Sequence, residues 1–204
     1  MDIMNKSIRL NYLPNSCCSG SKEQGIKAHE LPASLIAEYQ KGILLRDVEQ
    51  AYPQALEKFQ LAADFGCVDA MFSMGLLLKN ELKDSKQAAT WFTKAADLGH
   101  KDSLFYLGFL YAVDLGEFET AAAWYKKAVE HGNVEALFFL GVIYKDDLHD
   151  YPTAIEWFQK VADLGYAEGM YYLGLIYRDH LNNQEVSKQW FDKYAAAMLQ
   201  NKHF

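Results

Sequence analysis

Asp146, Asp147, His149 and Asp150 crowd four ionisable side chains into the stretch 146–150, a set of oxygen and imidazole donors that could hold a divalent cation. Loop solvation explains the same cluster and is the commoner cause, since acidic residues between helices stay in water. His100 and His131 each stand beside a glycine, Gly99 or Gly132, where a helix would end and a cationic ring would favour its dipole. Cys17 and Cys18 are adjacent and Cys67 is remote, so the odd trio suits neither a disulfide framework nor metal-ligand spacing. The adjacent pair reads as incidental thiols, with redox sensing as the chemical alternative. None of HExxH, GxSxG, GxGxxG or GxxxxGK occurs, and the six histidines do not recur at a fixed offset from carboxylates. No catalytic residue, no metal site and no cofactor is therefore expected.

The chemistry that remains is that of surfaces. The 204 residues include 13 Tyr and 12 Phe but only 4 Pro and 13 Gly, a composition that disfavours disorder and favours helices around a sizeable core. A net charge of −7 opposes nucleic-acid binding, which needs clustered Lys and Arg to displace counterions from phosphates. No run of eighteen apolar residues exists to span a bilayer. The first residues, MDIMNKSIRLNYLPNSCC, lack the unbroken apolar stretch of an export signal. A cytoplasmic protein with no membrane or nucleic-acid partner is the expectation.

The elements that must position any surface are legible as a repeat. Gly42, Gly75, Gly108, Gly141 and Gly174 stand 33 residues apart, and Gly66, Gly99, Gly132 and Gly165 keep the same step. So do Trp91, Trp124, Trp157 and Trp190, with Lys58 in the first copy, and the adjoining aromatic column Phe59, Phe92, Tyr125, Phe158 and Phe191. Ala55, Ala88, Ala121 and Ala154 follow it too, and Leu82, Leu115, Leu148 and Leu181 exclude insertions. A period of this length denotes a solenoid. Within one copy, Ala136, Leu140, Ile143 and Tyr144 fall on one helical stripe, as do Ala154, Trp157, Phe158, Val161 and Ala162 on a second. Pro152 suits the first turn of that second helix and Gly165 its left-handed C′ position. Gly141, inside the first helix, costs roughly 1 kcal/mol against alanine, so close approach of neighbouring Trp and Tyr side chains is the expected offset.

The run A-x-x-x-L-G-x-x-Y followed by A-x-x-W-F/Y-x-K-A-A-x-x-G resembles the Sel-one-like repeat, a relative of the tetratricopeptide repeat. Residues 103–132 and 136–165 carry it most fully, 70–99 well, and the terminal copies 33–66 and 169–198 less so. The resemblance implies an all-α, right-handed superhelix of about five 33-residue helix-turn-helix repeats. Residues 33–200 form the solenoid, and residues 1–32 an extension that is partly disordered or caps the fold with a short helix near Lys27 to Leu31. The final helix is expected over Val186 to Met198, followed by a frayed NKHF tail. A short acidic connection, KDDLHDYP, replaces the glycine-rich insertion many family members carry.

Helical arithmetic places Phe138, Val142 and Lys145 opposite the stripe of Ala136 and Leu140. Carried through the register, this gives one row of Tyr39, Phe72, Phe105, Phe138 and Tyr171, and a second of Ile43, Leu76, Phe109, Val142 and Leu175. Asp69, Asp102, Glu135 and Glu168 flank them on one side, and Arg46, Lys79, Lys145 and Arg178 on the other. The resemblance equates these rows with the ligand-facing positions of tetratricopeptide first helices. An apolar strip this long is covered either by a partner or by the neighbouring first helices. The first outcome makes Tyr39, Phe72, Leu76, Phe105, Phe109, Phe138, Val142, Lys145, Tyr171, Leu175 and Arg178 a groove for a partner protein or peptide. The resemblance implies an adaptor, acting as a monomer or weak dimer, in a signalling complex, an envelope assembly or the neutralisation of a cognate toxin by an immunity protein. An RNA-binding helical repeat, disfavoured by the acidic row, and a regulatory subunit of an enzyme complex are the alternatives.

Overall fold

The computed structural model describes residues 25–200, so the expectations for residues 1–24 and for the NKHF tail lie outside the described residues. Ten helices follow one another as five pairs: α1 (Ala33–Asp47) with α2 (Tyr52–Asp64), α3 (Val68–Asn80) with α4 (Ser85–Asp97), and α5 (Lys101–Leu110) with α6 (Phe118–Glu130). The fourth pair is α7 (Glu135–Val142) with α8 (Tyr151–Asp163), and the last is α9 (Ala167–Asp179) with α10 (Gln184–Gln200). Each helix packs mainly on its two neighbours in sequence, and the whole is an all-α, right-handed superhelix. A single turn of 3-10 helix, Ala28–Glu30, stands where the short capping helix is expected.

The glycine columns have separate causes. Gly165 takes φ +87° after α8; its N–H donates to the Ala162 carbonyl (2.9 Å) and the Tyr166 N–H to the Val161 carbonyl (3.3 Å). The left-handed residue thus satisfies carbonyls that the helix end would orphan. Gly141 lies in α7, and a Cβ there would stand 2.6 Å from Cε1 of Phe158. The same aromatic column meets every glycine of that series: Phe59 on Gly42, Phe92 on Gly75, Tyr125 on Gly108 and Phe191 on Gly174. The expected close approach is present, but the ring that makes it is the residue after the tryptophan. The tryptophans are half-buried between copies, and the lysine three residues on sits 3.9, 4.1, 3.7 and 4.0 Å above Trp91, Trp124, Trp157 and Trp190.

The loop closing each first helix uses left-handed backbone at Gln50, Lys83, Gly116, His149 and Asn182, again 33 residues apart. Gln50 and Lys83 carry side chains that such a conformation disfavours, whereas His149 and Asn182 are types that take it more readily. Both ends of the described stack depart from the repeat in a polar direction. At the start, Lys58 replaces the tryptophan and pairs with Glu38 at 2.5 Å. At the finish, exposed Lys188 stands where Leu56, Ala89, Ala122 and Ile155 pack inside. Tyr194, in a column otherwise filled by Ala62, Ala95, Ala128 and Val161, lies 5.3 Å from Tyr171.

Candidate functional site

The predicted aromatic row is a ladder running through the helix junctions. Phe72 contacts Phe92 of its own copy (5.5 Å) and Tyr106 of the next (5.1 Å), and Phe92 closes the triangle on Tyr106 (5.6 Å). Phe105, Tyr125 and Phe139 form the second triad at 5.5, 5.3 and 5.5 Å. Phe138, Phe158 and Tyr172 form the third at 5.9, 5.3 and 4.9 Å. Each such pair contributes about 0.5–1.5 kcal/mol beyond the area it buries. At the first junction Tyr39 packs on Phe59 at 5.7 Å, and its hydroxyl reaches the hydroxyl of Ser73 at 3.2 Å where a third ring stands elsewhere.

This arrangement corrects part of the expected groove. Tyr39 is 5% exposed, Phe72 9% and Val142 7%, so these three belong to the core and offer no open surface. The cause is that each first helix is held between the helices before and after it, and the face opposite the intra-pair stripe meets the next copy. Leu76, Phe105, Phe109, Phe138 and Leu175 are half-buried, with edges in solvent. Tyr171 is 39% exposed, because among the described residues no following first helix supplies a ring against it. The column Tyr106, Phe139 and Tyr172, which completes the triads, was missed. Its signal is an aromatic 34 residues beyond each of Phe72, Phe105 and Phe138.

The basic edge caps this ladder. Arg178 lies 5.7 Å over Phe191 and donates twice to Asp179, at 2.6 and 2.9 Å. That hydrogen bonding holds the Asp179 carboxyl below the usual range and raises the guanidinium. Lys145 lies 5.6 Å over Tyr172 and pairs with Asp146. Lys79 stands 4.7 Å over Phe109 and 3.6 Å from Asp114, while Arg46 stands 5.8 Å over Phe59 and pairs with Asp47. Burial, and then the Asp146 charge, raise the Tyr172 phenol.

The polar cluster of the 146–150 loop resolves into separate duties. Asp146 pairs with Lys145, His149 takes the left-handed position, and Asp150 caps α8 by accepting the Thr153 N–H at 3.1 Å. Among the described residues no group of three or more His, Cys, Asp and Glu could hold a metal ion. His131 keeps its helix-end position, 2.9 Å from the Lys127 carbonyl. His100 does not act as a cation there. It is buried, stacks on Phe72 at 4.4 Å and caps α5 by accepting the Ser103 N–H at 3.3 Å. Burial lowers its pKa, against the charges of Asp102 and Asp69.

Comparison with solved structures finds the same architecture. MamA from Desulfovibrio magneticus superposes with a TM-score of 0.63 at 20% identity, over 83% of this chain and 97% of that one. The c5321 protein of uropathogenic Escherichia coli, described as displaying an SLR fold, gives 0.56 at 27%, over 81% of this chain and 40% of that one. YrrB, described as a tetratricopeptide protein with an unusual peptide-binding site, gives 0.60 at 24%, over 83% and 92%. No curated protein sequence matches the chain. The family model of the Sel1 repeat matches four consecutive stretches, 68–100, 101–133, 134–166 and 167–197, more than half of the 204 residues. The first pair, α1 and α2, falls outside the match while keeping the glycine–aromatic contact of the others, and the chain belongs to the Sel1 repeat family.

Proposed function

We propose that the chain is a non-catalytic scaffold that binds a partner protein or peptide along the first-helix face of its C-terminal copies. The observation that carries this is the gradient along the ladder: the row is buried at Tyr39 and Phe72, half-open at Phe105 and Phe138, and exposed at Tyr171. The usable surface consists of Phe105, Phe109, Phe138, Tyr171 and Leu175, rimmed by Lys145 and Arg178. It offers ring edges beside fixed cations, which suits an apolar segment carrying carboxylates. Repeat scaffolds of this kind act through such surfaces, and neutralisation of a cognate toxin is one form this binding takes. Among the described residues no helix is long and apolar enough to cross a membrane.

The test is to identify the partner with the immobilised full chain and then titrate it. Tyr171→Ala and Leu175→Ala should each weaken binding by about 1–3 kcal/mol, as anchor residues do, and move the unfolding midpoint little. Unchanged affinity in the double variant removes this face from the function.

A further inference from the structure

The loops joining one helix pair to the next carry an acidic double row: Asp64, Asp97, Glu130 and Asp163 before them, and Asp69, Asp102, Glu135 and Glu168 after. The chain's own residues 25–27 lie along the first of these loops in extended form, and the 3-10 turn begins at Ala28. The Ile26 N–H donates to the Gly66 carbonyl (2.9 Å), the Val68 N–H to the Ile26 carbonyl (2.9 Å), and the Gly25 N–H to the Leu98 carbonyl (2.9 Å). The Ala28 N–H donates to Oδ2 of Asp69 at 2.7 Å. Gly25 fits because it has no side chain, since a Cβ there would collide with Val68 and Leu98. The receiving set is Gly66, Val68, Asp69 and Leu98, and Val68 beneath it is only 1% exposed.

Two copies further on, the register repeats that set almost side chain for side chain, as Gly132, Val134, Glu135 and Leu164. The intervening set, with Lys101 and His131 in the apolar places, does not. At the later set nothing described covers the surface: Val134 is 41% and Leu164 55% exposed. The Gly132 and Leu164 carbonyls and the Val134 N–H have no backbone partner among the described residues. An unpaired N–H at the start of a first helix and two exposed aliphatic side chains thus recur where the first copy shows how their counterparts are covered. We propose that Gly132, Val134, Glu135 and Leu164 form a docking seat for an extended segment of a partner protein, reading glycine, then an aliphatic residue, then a basic one. The glycine is taken from Gly25, whose missing side chain admits Val68 and Leu98, the counterparts of Val134 and Leu164. The basic residue answers Glu130, Glu135, Asp163 and Glu168, as Lys27 occupies that place in the chain's own segment. The seat uses none of the aromatic ladder, so its failure leaves the ladder reading standing, and the reverse.

The probe is a fluorescein-labelled peptide copying residues 25–31, titrated into the full chain by fluorescence anisotropy. Saturable one-to-one binding is expected. Leu164→Lys and Glu135→Lys should each weaken it by about tenfold, as loss of a central apolar anchor or of a paired charge does. A peptide with valine in place of the glycine should fail to bind. Both substituted side chains are exposed, and unchanged helical circular dichroism and melting of the variants will show that folding is intact. Absence of saturable binding overturns the proposal, including the case in which the chain's own residues 1–24 already fill the seat. So does binding that Leu164→Lys or the valine peptide leaves unchanged. A dimer of the chain that dissociates on Leu164→Lys would also overturn it, giving the seat to a second copy.

Discussion

Replacing Gly141 by alanine sets two effects of opposite sign against each other, and the structure says which wins. In an open helix the added methyl gains roughly 1 kcal/mol of propensity. In α7 that methyl would lie 2.6 Å from Cε1, 2.8 Å from Cδ1 and 2.8 Å from Cζ of Phe158, well inside van der Waals contact. The ring cannot retreat, because it is fully buried and held by Phe138 at 5.9 Å and Tyr172 at 4.9 Å. Overpacking of this kind costs about 1–3 kcal/mol, more where rings and backbone must move together. Since the clash falls on three ring atoms, the upper part of that range applies, leaving a net loss of about 2 kcal/mol after the propensity gain. Urea denaturation followed by far-ultraviolet circular dichroism reads this directly. A double-mutant cycle with Phe158→Leu isolates the contact, and the alanine should cost at least about 1 kcal/mol less once the ring is gone. A gain in stability from Gly141→Ala, or a cost that Phe158→Leu leaves unchanged, refutes the view that the glycine column exists to admit the aromatic column.

Tyr125 is the one member of its column with a hydroxyl, buried with no hydrogen-bond partner among the described residues and its pKa raised by desolvation. Tyr125→Phe should therefore stabilise by about 1 kcal/mol in the same urea assay, and a loss of that size would show that the hydroxyl has a partner. Lys83 holds φ +56°, so Lys83→Val should cost about 1 kcal/mol or more while Lys83→Gly is neutral or better. Equal effects of the two would count against backbone strain in that loop. His100 titrates near pH 6.5 when unfolded, but burial lowers its pKa in the fold. The unfolded chain thus binds the proton first, and stability should be intact above about pH 6.5 and fall as pH drops through that value. His100→Asn, which retains a cap, should flatten the slope between pH 7.5 and 5.5, and an unchanged slope would assign it to other groups.

The period, the helix pairs and their glycine punctuation could be read from sequence because each obeys a local rule: a 3.6-residue stripe, a left-handed C′ residue, a proline in a first turn. Gly165 and Pro152 needed nothing beyond their own helices. The side of the first helix that stays open did not follow from such rules. The angle between Ala136 and Phe138 on one helix is fixed by helical geometry, but whether Phe138 meets water or Tyr172 depends on how closely the next copy approaches. That distance is set by the rings at 106, 139 and 172, which belong to the following repeat. His100 misled for the same reason. Its place beside Gly99 suggested a helix end, whereas its ring turns forward to begin α5 and lie on Phe72.

The tryptophan column makes the chain an optical ruler of its own unfolding. Each of the last four helix pairs holds one indole beneath a lysine ammonium at 3.7–4.1 Å, whereas the first pair has Lys58 there instead. Tryptophan emission has no reporter inside α1 and α2, senses their loss only through Trp91 at the next junction, and reports each of the other pairs from its own indole. Ellipticity counts every described helical residue alike. A solenoid that melts inward from its N-terminal pair would lose ellipticity before most of its emission changed, and one that melts from the other end would lose the two together, so the lag between the signals gives the direction of unfolding.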